Sequence, residues 1–111
     1  MNALTNLRAE IFEELLALKA DLSVAAKKWK NHCPFTERLY RESAAKLGRI
    51  VAYRRDDAAV CRILEEVGNA LLLHSSSAIF PEAKSESHAF ACRTLNLLPQ
   101  GTSVQLKLFV N

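Results

Sequence analysis

The feature that most constrains the fold is a set of apolar residues near the N-terminus that recur at steps of three or four. On a helical wheel they form a stripe about 80° wide, which predicts one amphipathic helix of about 27 residues and about 40 Å. Asn2 is expected to cap its start and Pro34 to end it, because the residue before a proline avoids helical angles. A stripe this narrow is typical of a seam between two helices. Its members are Leu4, Leu7, Ile11, Leu15, Leu18, Leu22, Ala25 and Trp29.

Two shorter apolar stripes predict a second and a third helix in the middle of the chain. The second helix is expected to open near Thr36, and Asp56 or Asp57 to cap the third. A single helix over Thr36–Leu73 is the alternative, provided that its middle stretch is solvated. The serines at 75–77 are expected to end the helical pattern. The stripes consist of Tyr40, Ala44, Leu47 and Val51 in the second helix and Val60, Ile63, Leu64, Val67 and Leu71 in the third.

The C-terminal third of the sequence changes period. Apolar and other residues alternate from Ser103 to Val110, which predicts a β-strand, and the turn sequence LPQGT precedes it. We favour Ala89–Leu97 as the partner strand, because a terminal strand needs another to pair with. The alternative is a helix that begins near Pro81 and places Ala91, Leu95 and Leu98 on one face.

These patterns predict a mainly α fold with a small β part (α+β): an antiparallel helical hairpin or three-helix bundle with a short C-terminal β-hairpin. At 111 residues we expect a single domain (1–111), with a helical part (1–74) and a hairpin part (78–111). A narrow seam and a lone two-stranded sheet both need further partners, so we expect a homo-oligomer. Gly48 and Gly68 lie inside predicted helices, where we expect them to allow close approach of a neighbouring helix.

Charge is unevenly distributed along the chain. Residues 27–55 hold nine basic and two acidic residues, a net charge of +7, whereas the rest holds six basic and ten acidic residues, a net charge of −4. Basic residues interleaved with aromatic ones can bind an acidic protein surface, a nucleic acid or a nucleotide, or can simply form a solvated surface. The candidate binding residues are Arg38, Arg41, Lys46, Arg49, Tyr53, Arg54 and Arg55.

Part of this basic region is spaced like a helix-turn-helix that reads DNA, with Ala44 before a turn at Gly48. The second half of such a motif fails, because its apolar anchor would fall at about Arg54 and Asp56 would approach phosphates. We therefore favour a packed helix, in which small residues four apart form a flat face.

The sequence predicts no catalytic site, no metal centre and no cofactor. It has no Cys-x-x-Cys spacing and no Gly-rich phosphate loop, and its adjacent carboxylates point to different sides of their helices. Cys33, Cys61 and Cys92 are odd in number and far apart, which favours reduced thiols and a cytoplasmic location. We expect no membrane partner, because the N-terminal residues lack a leader pattern and the longest leucine run spans only Leu71–Leu73.

We therefore interpret the chain as a non-enzymatic protein that regulates or inhibits an acidic protein partner through its basic central helix. A nucleic-acid-binding regulator that uses the same face is the first alternative. A small-ligand or nucleotide binder at an oligomer interface is the second.

Overall fold

The computed structural model describes residues 3–50 and 57–98, with side chains described for 11–50 and 58–98. Within these residues the chain forms four helices and no strand. The helices are α1 (Ala3–Trp29), α2 (Pro34–Arg49), α3 (Asp57–Ser77) and α4 (Pro81–Leu95). The mainly α prediction is therefore confirmed for the described part, with one more helix than expected.

Prolines start two of the four helices. Pro34 occupies the first turn of α2 and Pro81 that of α4, where the missing N–H needs no intrahelical partner. The break at Pro34 is as predicted, although α2 begins two residues before Thr36. The serines at 75–77 do not break α3 but form its last turn, since their hydroxyls donate back to the carbonyls of Leu72 and Leu73.

The chain folds back between α2 and α3. Lys46 Nζ lies 3.2 Å from Glu66 Oε2, and Thr36 Oγ1 lies 2.9 Å from His74 Nε2. In one continuous helix, residues 20 positions apart would be separated by about 30 Å along the axis. The single helix over Thr36–Leu73 is therefore wrong, and α2 and α3 run antiparallel.

The assignment of Ala89–Leu97 to a β-strand is wrong, because α4 continues through Leu95. The alternative helix from Pro81 is the one observed, and Ala91, Leu95 and Leu98 are all buried. Two polar residues, Ser87 and Thr94, are fully buried on the same helix and disguise its periodicity. The proposed strand at 103–110 and the turn before it lie outside the described residues.

The predicted apolar stripes form the interior. Every stripe residue of α1 from Leu15 to Trp29 is buried, and Ile11 is half-buried against them. In the other two stripes Ile63 is half-buried, Val51 lies outside the described residues, and the remaining members are buried. Tyr40 is the largest fully buried side chain; its hydroxyl lies 3.0 Å from Ser87 Oγ and its ring packs edge-on against Phe90.

The predicted close approach of another helix is confirmed at Gly68 but not at Gly48. A Cβ on Gly68 would lie 2.5 Å from Leu95 Cγ, so α4 packs directly on the backbone of α3. A Cβ on Gly48 would lie 3.1 Å from Lys19 Cε of α1, which is a milder contact with a flexible side chain. The absence of a side chain at Gly68 therefore sets how closely α4 packs against α3.

Candidate functional site

Three of the predicted binding residues share the solvent side of α2. Arg38, Arg41 and Arg49 are exposed, whereas Tyr40 and Leu47 on the opposite side are buried. Arg38 and Arg49 are separated by 11 residues, about three helical turns, so they point in nearly the same direction. We call Arg38, Arg41 and Arg49 the arginine stripe.

Among the described residues, one of the three arginines of the arginine stripe has an ion-pair partner. Arg41 Nε donates to Glu37 Oε2 at 2.9 Å within the same helix, in an exposed pair that contributes little to stability. Neither Arg38 nor Arg49 forms an ion pair with any described residue. Within the described residues, one helix face therefore presents two exposed guanidinium groups that have no ion-pair partner.

The other predicted site residues do not belong to the stripe. Lys46 is half-buried and pairs with Glu66, so its charge links α2 to α3. Tyr53, Arg54 and Arg55 lie outside the described residues, and their part in a site stays a prediction.

Two exposed apolar side chains lie beside the stripe, and the sequence analysis did not select them. Phe35 is 78% exposed, one turn before Arg38, and Leu73 is 71% exposed at the facing end of α3. Their immediate neighbours, Thr36 and His74, are in hydrogen-bond contact, which places both residues at the same end of the α2–α3 contact. The exposure of Phe35 could have been predicted from the sequence, because this residue falls outside the apolar stripe of its own helix.

A second group of charged residues joins α1 to α4. Lys28 Nζ contacts Glu82 and Glu86, and Trp29 Nε1 donates to Glu86 Oε1 at 2.7 Å. Farther along, Arg93 lies 2.9 Å from Asp21. We call this contact the α1–α4 seam; it comprises Asp21, Lys28, Trp29, Glu82, Glu86 and Arg93. Spacing along the sequence could not predict this contact, because it depends on α4 folding back beside α1.

Hydrogen bonding controls the protonation of Glu86. Burial alone would raise the pKa of this carboxyl, but the hydrogen bonds from Lys28 and Trp29 outweigh it and lower the pKa. The same contact with Glu86 raises the pKa of Lys28. The seam therefore holds both groups in their charged forms.

A cleft of about 410 Å³ opens at the end of the α1–α4 seam. Trp29, His32 and Phe80 line it together with Lys28, Pro81 and Glu82. The volume suits a small ligand, but the ammonium of Lys28 is already held by two carboxylates. Without a free cation at its wall, the cleft offers little to a nucleotide phosphate.

The described thiols differ in their surroundings. The hydroxyl of Thr36 lies 3.2 Å from Cys33 Sγ and lowers the pKa of that thiol, with further help from backbone N–H groups at the start of α2. Burial raises the pKa of Cys61. Burial also lowers the pKa of His74, so its imidazole stays neutral at pH 7.

The described ranges, 3–50 and 57–98, hold neither a cluster of metal ligands nor a membrane-spanning helix. No group of three His, Cys, Asp or Glu residues there could hold a metal ion. None of the helices described is both long and apolar enough to cross a bilayer. Comparisons with protein-family models, characterised protein sequences and solved structures gave no significant match to this chain.

Proposed function

We propose that this chain is a non-enzymatic binding protein that regulates or inhibits a larger protein by contacting an acidic surface with the arginine stripe. The observation that carries the proposal is the exposure of Arg38 and Arg49, without ion pairs among the described residues, on one face of α2. Guanidinium groups form paired hydrogen bonds with carboxylates, which suits this role.

The acidic residues near the stripe favour a protein partner over a nucleic acid. Glu37 and the exposed Glu42 alternate with the arginines along α2. A phosphate backbone would be repelled by these carboxylates, whereas a protein surface of mixed charge can place its own cations opposite them.

The rest of the described molecule supports a binding role. The carboxylates with the most contacts, Glu82 and Glu86, are engaged by Lys28, and the hydroxyl of Tyr40 is buried against Ser87. These groups contribute to packing and are not free to handle a substrate proton. The homo-oligomer expected from the sequence stays a prediction, which light scattering of the purified protein tests.

The test is affinity capture from nuclease-treated lysate with a charge-reversed variant. Arg38→Glu together with Arg49→Glu should remove captured acidic proteins that the wild type retains. The matched control is Lys27→Glu with Lys84→Glu, which changes net charge equally at exposed positions on α1 and α4 and should leave capture intact.

Two outcomes contradict the proposal. Equal loss of capture in both variants would mean that net charge, not the stripe, governs binding. Capture that occurs in untreated lysate but not in nuclease-treated lysate would mean that the face binds nucleic acid, as would labelled oligonucleotide affinity that falls steeply with salt.

A further inference from the structure

The contact between α2 and α3 presents an apolar and cationic surface to solvent. Its apolar part consists of Phe35 and Leu73, with the partly buried Leu39 between the two helices. Its cationic part consists of Arg38 and Arg49 on α2 and Arg62 on α3, which is also exposed. We call these residues, Phe35, Arg38, Leu39, Arg49, Arg62 and Leu73, the α2–α3 face.

Helical spacing places these residues on a common surface. Arg62 and Leu73 are 11 residues apart on α3, just as Arg38 and Arg49 are on α2, and about three turns bring each pair to one side. The two helices are antiparallel, so Leu73 and Phe35 lie at one end of their contact and Arg62 lies toward the end that holds Arg49. Apolar side chains therefore occupy one end of the face and free guanidinium groups extend to the other.

The charge of this face is unbalanced. Glu66, four residues after Arg62, is already paired with Lys46 across the two helices. Arg62, like Arg38 and Arg49, forms no ion pair within the described ranges. Against these three cations stands the exposed Glu42 on α2. An occupant of this face must bring carboxylates to both helices.

We propose that the α2–α3 face binds an amphipathic helix with an acidic polar side, laid along the two antiparallel helices. This inference rests on the proposed function and specifies its partner. Phe35 and Leu73 receive the apolar stripe of the incoming helix, while Arg38, Arg49 and Arg62 meet the carboxylates that flank it.

The dimensions fit a helix as the occupant. Phe35 and Arg49 are 14 residues apart, about 21 Å along α2, which corresponds to about four turns of a docked helix. An apolar stripe flanked by charges on both sides is a pattern that an amphipathic helix presents along its whole length. Charge complementarity with arginines on both α2 and α3 fixes where that stripe lies.

The experiment uses three labelled synthetic peptides of about 18 residues, or five turns, and the full chain. The first is a helix with leucines at steps of three and four and glutamates at flanking positions. The second carries lysine for every glutamate. The third has the composition of the first in scrambled order, which keeps the charge and removes the stripe. Fluorescence anisotropy measures the dissociation constant of each.

The first peptide is expected to bind about tenfold or more tightly than the scrambled one, and the lysine peptide not measurably. Equal binding of the acidic and scrambled peptides would overturn helix docking and leave the proposed function standing. Failure of every peptide would overturn helix docking, while the lysate capture experiment would still decide the proposed function separately.

Variants locate the binding. Phe35→Ala with Leu73→Ala should weaken the first peptide about tenfold or more. Leu16→Ala with Val24→Ala is the matched control, because these α1 side chains are 56% and 68% exposed and should not affect binding. Circular dichroism of both variants is the control for correct folding. Equal weakening by the two variants would overturn the assignment to the α2–α3 face.

Discussion

The two contacts α1–α4 and α2–α3 differ in how they use charge. In the α1–α4 seam, Lys28 and Arg93 each meet carboxylates, and the indole of Trp29 is buried and hydrogen-bonded to Glu86. In the α2–α3 contact, a single ion pair joins the described side chains of the two helices, while arginines and large apolar side chains are exposed. The described charges of the first contact are thus paired within the molecule, whereas the second leaves charged and apolar side chains exposed to solvent.

The largest expected change in stability comes from Trp29→Ala, in the α1–α4 seam. Removing a buried indole that also donates to Glu86 should lower the free energy of unfolding by about 3–5 kcal/mol. Phe35→Ala, in contrast, should change it by about 0.5 kcal/mol or less, because the phenyl ring is already in water. Urea unfolding followed by circular dichroism measures both. Similar losses of unfolding free energy in the two variants would contradict the difference between the α1–α4 and α2–α3 contacts.

A smaller effect is expected from the two helical glycines. Gly68→Ala places a methyl group against Leu95 and should lower the free energy of unfolding by about 1–3 kcal/mol. Gly48→Ala meets only the movable end of Lys19, so the better helix propensity of alanine should leave stability unchanged or raise it by up to about 1 kcal/mol. Thermal unfolding of the pair tests this order. A Gly68→Ala protein as stable as Gly48→Ala would show that α4 does not lie closely on α3.

Acid should affect the two contacts in different pH ranges. The pKa of His74 is lowered on folding from 6.5, so its contribution is present above pH 6.5 and is lost as pH falls through the folded value. The pKa of Glu86 is lowered from 4.5, so its contribution is lost only below that value. His74→Gln should flatten the stability profile near pH 6, and Glu86→Gln should flatten it below pH 4.5 and cost about 1 kcal/mol at pH 7.

Urea unfolding at a series of pH values provides the profile. The two variants serve as controls for each other. His74→Gln should leave the pH dependence of stability below pH 4.5 unchanged, and Glu86→Gln should leave the pH dependence near pH 6 unchanged. A wild-type profile that is flat from pH 7 to pH 5 would contradict the buried, neutral state of His74.

The smallest effect is expected from Lys46→Ala. Its pair with Glu66 is partly exposed, so its loss should lower the free energy of unfolding by about 0.5 kcal/mol at low salt and by less as salt is added. Chemical unfolding at two salt concentrations measures this. A loss of about 2 kcal/mol would place the α2–α3 contact in the same class as the α1–α4 seam.

Periodicity was sufficient to predict the helical core but not its last helix. Leu15, Leu22 and Leu64 lie at helical spacing with polar residues between them, so their burial follows from the sequence. In α4, the hydroxyl of the buried Ser87 is hydrogen-bonded to Tyr40 of α2, and that of the buried Thr94 donates to the carbonyl of Phe90, so two polar residues interrupt the apolar pattern. The apolar pattern was hidden because hydrogen bonding, not hydrophobicity, permits these side chains to be buried.

The candidate site was predictable in part. The exposure of Arg38 and Arg49 follows from their place opposite the stripe of α2. The ion pair of Lys46 with Glu66, which removes Lys46 from the candidate site, could not be predicted from the sequence. It depends on α3 folding back beside α2. The placement of Phe35 and Leu73 at the same end of the α2–α3 contact likewise depends on the tertiary fold, which spacing within one helix cannot predict.

The most direct measurement is an amide NMR titration of the isotope-labelled chain with the acidic amphipathic peptide. We predict that resonances of Phe35, Arg38, Arg49 and Leu73 shift, while those of Trp29 and the rest of the α1–α4 seam stay in place. Shifts confined to that seam and its cleft, or the same shifts with the scrambled peptide, would contradict a binding surface for acidic helices between α2 and α3.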